Sequence, residues 1–325
     1  MRSRPITLQR EHPDDVLATG QVHVVTVTYN NVATVDRFFS GIASCAGQIH
    51  TVTVVDNGST DDTVARVREA AGRVRVPVEI IENENTGFAG GYFAAQRSAA
   101  PRGLPVLCLN PDVQLASGAV EAMVDVLDSF PDAAVATVPL MESDGTPDTA
   151  SRRRLPTLGA SMVYSVLGRV TPAALRYNKR EKDSVPTLRT KGGRAVSALQ
   201  ATTGAMMLVA ADFRPLDDGI FDRDYWMYGE DLQLCADAAA AGRSVLIAEV
   251  SPSVHVKGVS SGRPRSRRSN RAFHDAMYDY ARKNLASSKV VLAVVRVGVE
   301  AHFALSELRA MPTRRRRAQA RLFRS

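Results

Sequence analysis

This sequence predicts an α/β fold: a mainly parallel sheet with helices on both faces, followed by C-terminal amphipathic helices. Two observations carry the prediction. From residue 22 to 139, short β-branched runs alternate with longer helix-like stretches, and that spacing argues for βαβ units. Near the C-terminus, the apolar stretch 289–305 gathers Lys289, Arg296, Glu300 and Glu307 onto one narrow stripe at about 100° per residue.

Taken in order, the runs 22–28, 51–55, 78–81, 106–109 and 134–138 read as strands, since Val, Ile and Thr suit a buried pleated surface. The stretches 32–46, 61–71, 88–100 and 117–129 read as helices. Thr60 or Asp61 is expected to cap the second helix and Gly72 to end it. Residues 141–193 are rich in Pro, Ser, Arg and Lys, which predicts a partly mobile insertion. A second structured region follows at 195–256. It holds a helix at 230–241, stopped by Gly242, and a strand at 244–248.

Composition narrows the function. The chain of 325 residues is long enough for a sizeable core, and its hydrophobic content of 45% suits a globular protein. Cys45, Cys108 and Cys235 are too few and too widely spaced for a zinc pattern or a disulfide framework, which favours a reducing compartment. Residues 1–15 are polar and lack a signal-peptide core, so a cytoplasmic location is expected. The net charge of +7 is concentrated in Arg152–Arg154, the segment 176–194, the loop 263–271 and Arg314–Arg317. Such runs suit either an anionic partner or plain solvation. No stacking platform or zinc finger accompanies them, so nucleic acid is not expected.

Each charge near the centre of 289–305 would cost about 2.5–3.5 kcal/mol in a bilayer core, which disfavours a membrane span. Two readings stay open. The helix either rests on the protein's own core or lies in a membrane interface, where each basic residue adds about 1 kcal/mol near anionic lipid.

The chemistry-bearing residues gather at predicted strand ends, where ligands bind in open α/β sheets. Thr28, Tyr29 and Asn30 close the first strand, and Asp56, Asn57 and Gly58 close the second. An Asp placed there can accept a pyrimidine ring N–H, although Asp-Asn-Gly-Ser is also an ordinary strand–turn–helix connection. The glycine-rich segment 85–91, with Gly87, Gly90 and Gly91, fits no dinucleotide or P-loop spacing. It implies close backbone approach to either a ligand or another element.

Asn110-Pro111-Asp112 follows the strand 106–109. A carboxylate there can hold Mg²⁺ or Mn²⁺ against a diphosphate, or act as a turn residue. His255 follows another apolar run and is either a further metal contact or structural. Glu230 and Asp231 open a helix after the aromatic residues Tyr225, Trp226 and Tyr228. They either favour the helix dipole or supply a general base. No Gly-x-Ser-x-Gly motif is present, which disfavours covalent hydrolase chemistry.

In this order the motifs resemble the inverting family 2 glycosyltransferases of the GT-A, Rossmann-like fold, over residues 22–261. Within that family the likeness is nearest to actinobacterial rhamnosyltransferases that act on N-acetylglucosaminyl-diphosphoryl-polyprenol. Leu109 to Gln114, Tyr228 to Asp231 and His255 to Ser261 carry it, with the Arg-rich tail. The resemblance implies a nucleotide-sugar donor, with dTDP-rhamnose foremost, held by Thr28, Tyr29, Asn30, Asp56, Asn57, Gly58, Gly87, Gly90, Gly91 and Asn110. It implies Mg²⁺ or Mn²⁺ at Asp112 and His255, Asp231 as base beside Glu230, and a polyprenyl-diphosphate-linked acceptor against Trp226 and Tyr228.

Two departures from the family pattern stand out: Asn110 replaces the first acid of Asp-x-Asp, and Gln233 replaces the last acid of Glu-Asp-x-Asp. The resemblance divides the chain into an N-terminal extension (1–20), a nucleotide-sugar-binding half (21–140), a mobile basic insertion (141–194), an acceptor and catalytic half (195–262) and a basic C-terminal region (263–325). A peripheral place on the inner face of the plasma membrane, against anionic lipid, is expected, and a homodimer is compatible with it. The alternatives are a UDP-hexose transferase of the same fold and a catalytically silent nucleotide-binding membrane scaffold.

Overall fold

The computed structural model describes residues 6–7, 20–97, 103–157, 188–216, 219–256 and 265–322. A ten-stranded mixed sheet forms its centre. In chain order the strands and helices are β1 (Ile6–Thr7), β2 (Val22–Thr28), α1 (Val35–Ser44), β3 (Ile49–Asp56), α2 (Thr63–Ala71), β4 (Val78–Glu82), α3 (Gly87–Gln96), β5 (Val106–Leu109), β6 (Val113–Gln114), α4 (Ala119–Ser129), β7 (Ala133–Thr137) and β8 (Leu140–Glu142). Then come β9 (Leu188–Arg189), β10 (Ala195–Leu199), β11 (Met206–Val209), α5 (Glu230–Ala240), β12 (Ser244–Ala248), β13 (Ser253–His255), α6 (Arg267–Asn284) and α7 (Lys289–Leu322).

The sheet runs β1-β4-β3-β2-β5-β11-β7-β12-β10-β9. Strands β4, β3, β2 and β5 are parallel, as βαβ units require. Antiparallel strands enter beyond β5, where β11 pairs antiparallel with both β5 and β7. The mainly parallel sheet is therefore the N-terminal half, and both halves of the chain share one sheet.

Every residue of β2 is buried, so its β-branched run is continuous rather than alternating. Val22 and Val24 point into one apolar cluster with α1, α2 and α4, while Val25 and Val27 point into another with α3, α5 and α6. Helices thus cover both faces.

Several boundaries differ from expectation for local reasons. Helix α1 starts at Val35 rather than 32, because Asn31 and Thr34 form a turn in which Thr34 N–H donates to the Asn31 carbonyl. Asp62 flanks α2, while the Asp61 carboxylate accepts from Thr63 N–H at 3.0 Å, so neither Thr60 nor Asp61 is the capping residue itself. Gly72 does close α2, with right-handed backbone (φ −66°).

The described ends of the basic insertion belong to the fold. Arg153 and Ala201 exchange backbone hydrogen bonds, and β9 extends the main sheet; residues 158–187 lie outside the described residues. The arginine loop 263–271 becomes helix from Arg267, because Ser266 caps α6 by accepting from Ser269 N–H.

Helix α7 continues through the stretch read as a basic tail, to Leu322. Two members of its polar stripe, Glu300 and Glu307, face α6, while Lys289 and Arg296 stay exposed. Arg271 of α6 makes a two-pronged ion pair with Glu300 at 2.6 and 2.8 Å, and Asn270 donates to Glu307 at 2.6 Å. The apolar side faces out: Val290 is 74% exposed, Val297 70% and Leu308 60%. Among the described residues, no helix is long and apolar enough to cross a membrane.

Candidate active site

The carboxyl ends of β2, β3 and β5 open onto one cavity of about 800 Å³. Tyr29, Asn57, Gly87, Asn110, Asp112, Trp226, Tyr228, Glu230 and Asp231 line it. Thr28, Asn30, Asp56, Gly58, Gly90, Gly91 and His255 are not among the residues that line it.

Thr28 and Asp56 are register partners in β2 and β3. The buried Asp56 carboxylate accepts from Thr28 Oγ1 at 2.9 Å, Ser59 N–H at 2.8 Å and Ser59 Oγ at 2.5 Å. Asn30 adopts left-handed backbone (φ 54°), and its side chain accepts from Thr60 N–H, joining two strand ends. Gly58 (φ 74°) makes the turn between Asp56 and α2.

The glycine-rich segment proves to be a place where two elements meet. Gly87 has φ 86°, and a Cβ there would lie 2.1 Å from the Trp226 carbonyl oxygen. Phe88 N–H donates to that same oxygen at 2.7 Å, and Asn57 Nδ2 donates to the Gly87 carbonyl at 2.7 Å. Gly91 lets α3 approach Val27, whose methyl carbon would be 2.7 Å from a Cβ, and Gly90 leaves room for the side chain of Thr86 at the start of the same helix. Asn57 and Gly87 thereby hold the glycine-rich segment against the Trp226 segment.

A small sheet, β6-β13-β8, gathers the second group. His255 stands opposite Val113, which follows directly on Asp112. Its Nδ1 lies 2.8 Å from Asp148 Oδ2 and its Nε2 3.4 Å from Asp112 Oδ1. Burial disfavours charge on His255, but hydrogen bonds and charge from Asp112 and Asp148 outweigh it and raise the pKa to about 9. Buried Asn110 Oδ1 has no hydrogen-bond partner, and Asp112 Oδ1 has only the long 3.4 Å contact to His255.

This donor set fits a hard cation that completes its shell with substrate oxygens. Among the described residues, no three His, Cys, Asp or Glu side chains are grouped to hold a metal by themselves. Asp148 was not anticipated from the sequence. It follows a turn with no motif, and only the fold brings it to His255.

Glu230 and Asp231 start α5 after two left-handed residues, Tyr228 (φ 71°) and Gly229 (φ 87°). Asp231 Oδ2 accepts from Arg153 Nη1 at 2.7 Å and Gly204 N–H at 3.0 Å, and Oδ1 accepts from Leu232 N–H. Arg153 was legible only as part of a basic run. Burial first, then the Asp231 charge, pushes Glu230 well above the usual carboxylate range, and its Oε2 is unpartnered.

Gln233 is structural: it accepts from Tyr225 and Asn284 and donates to Asp237, joining α5 to α6. Arg268 stacks over Trp226 at 4.2 Å, while Arg265 lies over Tyr228 and Phe273. The arginine-rich segment therefore does reach the cavity.

The family model for Glycosyl transferase family 2 matches residues 23–187, just over half of the chain. The chain belongs to glycosyl transferase family 2. It is 29% identical over 257 residues to N-acetylglucosaminyl-diphospho-decaprenol L-rhamnosyltransferase of Mycobacterium tuberculosis, in both strain CDC 1551 / Oshkosh and strain H37Rv. That match covers 75% of this transferase and 79% of the relative.

Two solved structures show the same fold. The mannosyltransferase PcManGT from Pyrobaculum calidifontis, in complex with GDP-Man and Mn²⁺, aligns with a TM-score of 0.51 at 15% identity, over 94% of this chain and 81% of that one. GalNAc-T7 with UDP, GalNAc and Mn²⁺ aligns with a TM-score of 0.57 at 14% identity, over 82% of this chain and 48% of that one. The transferase is thus a mixed α/β glycosyltransferase of GT-A architecture, with added C-terminal helices.

Proposed function

We propose that this transferase moves L-rhamnose from dTDP-rhamnose to a polyprenyl-diphosphate-linked N-acetylglucosamine, with inversion at the anomeric carbon. The observation that carries the reading is that Asp112 and Asp231 face one cavity from its two sides. The mycobacterial relatives, named for this acceptor and this sugar, support the choice of substrates.

Asp231 takes the proton from the acceptor hydroxyl, which attacks the donor in line. Arg153 and the Gly204 N–H compensate the charge on Asp231 in a buried setting. Glu230, kept protonated, can donate a hydrogen bond to a sugar oxygen. The two neighbouring carboxyls thus divide base and donor roles.

Tyr29, Asn57 and Asn110 line the donor side, on a floor held by Thr28, Asn30, Asp56, Gly58 and the three loop glycines. Trp226 and Tyr228 form the acceptor wall. Asp112 and Asn110 would hold Mg²⁺ or Mn²⁺, joined by His255 once its Nε2 proton is displaced, with Asp148 orienting the imidazole. When bound, the metal offsets the charge that develops on the leaving nucleoside diphosphate.

The outward apolar face of α7 and the arginines near its end support a peripheral place on an anionic membrane surface, on the cytoplasmic side. The test is transfer from radiolabelled dTDP-rhamnose to synthetic polyprenyl-diphosphate-GlcNAc, with and without EDTA. Labelled lipid that disappears with EDTA is the expected result. Absence of product, with UDP bound better than dTDP, would move the reading to a UDP-hexose donor. Absence of both product and nucleotide binding would sink the enzyme reading.

A further inference from the structure

The cavity does not end at the catalytic carboxylates. Beyond Asp231 the same cavity runs between α6 and α7, where Met277, Tyr280, Leu285, Val294, Val295 and Val299 line it. Charged groups are turned away from this end, because Glu300 and Glu307 are tied to Arg271 and Asn270. At the mouth, Val294 is 53% exposed and lies on the side of α7 that carries Val290 and Val297. A single space thus joins a polar centre built for diphosphate and sugar to an apolar cleft, which opens on a helix face poorly suited to water.

We infer that the cleft between α6 and α7 is a binding site for the isoprenoid chain of the acceptor. This rests on the lipid-linked acceptor proposed above. The first isoprene units lie along Met277, Tyr280 and Val295, and the rest of the chain leaves past Val294 into the membrane. Continuity with the catalytic cavity selects a lipid tail over a protein partner, since an occupant here must also reach Asp231.

Gly298 makes the site testable. It lines the cleft, and a Cβ added there meets no atom within 4 Å. Gly298→Leu therefore starts from open space at its Cβ and puts bulk into the cleft, with better helix propensity.

Trp226, the only tryptophan, lines the same cavity and reports binding by its fluorescence. Full-length protein would be titrated with geranyl, farnesyl and geranylgeranyl diphosphate below their micelle concentrations. The expected result is affinity rising by about tenfold along the series. Gly298→Leu should lose that rise while keeping its melting midpoint and its affinity for dTDP. Val295→Ser, which removes apolar contact without adding bulk, should flatten it in part.

Equal affinity for all three chains, or an undiminished rise in Gly298→Leu, overturns the inference. So does a lipid-free dimer that closes the cleft and that Val297→Glu dissociates, because the occupant would then be a second copy. Transfer to GlcNAc-diphosphate acceptors irrespective of chain length would remove the cleft site and leave the proposed reaction standing. Length-dependent prenyl binding without any such transfer would do the reverse.

Discussion

At the residue scale, neighbouring side chains of the same type differ in protonation because their surroundings differ, and the proposed division of roles rests on that. Asp231 meets a guanidinium and two backbone N–H groups, whereas Glu230 has an oxygen with no partner. Replacing Asp231 with Asn should lower transfer by roughly 10²–10⁴-fold, the usual contribution of a positioned base, with nucleotide affinity nearly unchanged. Asp112→Ala should do the converse in a donor titration, weakening nucleotide binding only when Mn²⁺ is present. Retained turnover in the first variant, or unchanged donor affinity in the second, would refute these roles.

His23 carries a different prediction. Burial above all, then the charges of His50 and Arg214, lowers its pKa from 6.5 to about 4, and it shares a hydrogen bond with Thr53 at 2.8 Å. The unfolded chain protonates it near pH 6.5, but the folded one resists until about pH 4. Its contribution is therefore complete above pH 6.5 and drains away as pH falls to 4, by on the order of 3 kcal/mol. Urea denaturation at pH 7 and pH 4.5 should show the loss. His23→Gln should reduce that slope without removing it, since burial also lowers His274 and His302. The individual acids were legible because each follows an apolar run. Their partners were not, since Asp148 and His255 meet across 107 positions and Arg153 reaches Asp231 across 78.

At the element scale, the long strands were legible because two-face burial demands an unbroken β-branched run, as in β2. Strands of two to four residues, such as β6, β11 and β13, carry no periodicity, and with them went the antiparallel half of the sheet and the His255 junction. The glycine-rich segment was legible as a close approach but not as an approach to Trp226. Gly87→Ala tests which cost dominates there. Left-handed backbone alone costs about 1–2 kcal/mol, and the 2.1 Å contact with the Trp226 oxygen adds more. The expected total is about 2–4 kcal/mol, with a lowered melting midpoint and weaker transfer, because the Trp226 segment must shift. Gly118→Ala is the control. Its φ is 77° with open space around a Cβ, so it should cost about 1 kcal/mol and leave transfer unaltered. Equal losses in the two variants would mean that the loop contact contributes nothing.

At the scale of the whole molecule, the orientation of α7 decides which way the protein faces. The charge stripe was legible, and an ordinary helix would turn such a stripe to water. Here Arg271 and Asn270 on α6 draw its two acids inward while Lys289 and Arg296 stay exposed, and that could not be foreseen because residues 263–271 read as a basic loop rather than the start of a partner helix. The result is a helix whose outward side, through Val290, Val297 and Leu308, is apolar, continued by an arginine-rich stretch. On the peripheral-membrane proposal, apolar burial at a lipid interface and attraction between arginine and anionic headgroups would act together there, neither being strong alone. The protein should therefore sediment with vesicles containing phosphatidylglycerol and much less with neutral phosphatidylcholine vesicles. Raising salt should weaken the first interaction without abolishing it, since only the headgroup part is screened. Combined Val290→Glu, Val297→Glu and Leu308→Glu should release the protein from both vesicle types while leaving its melting midpoint and dTDP affinity intact, because none of the three lies in the core. If that variant sedimented with anionic vesicles as well as the unmodified chain does, α7 would not be the membrane-facing element. The catalytic cavity would then have to open toward lipid from another side.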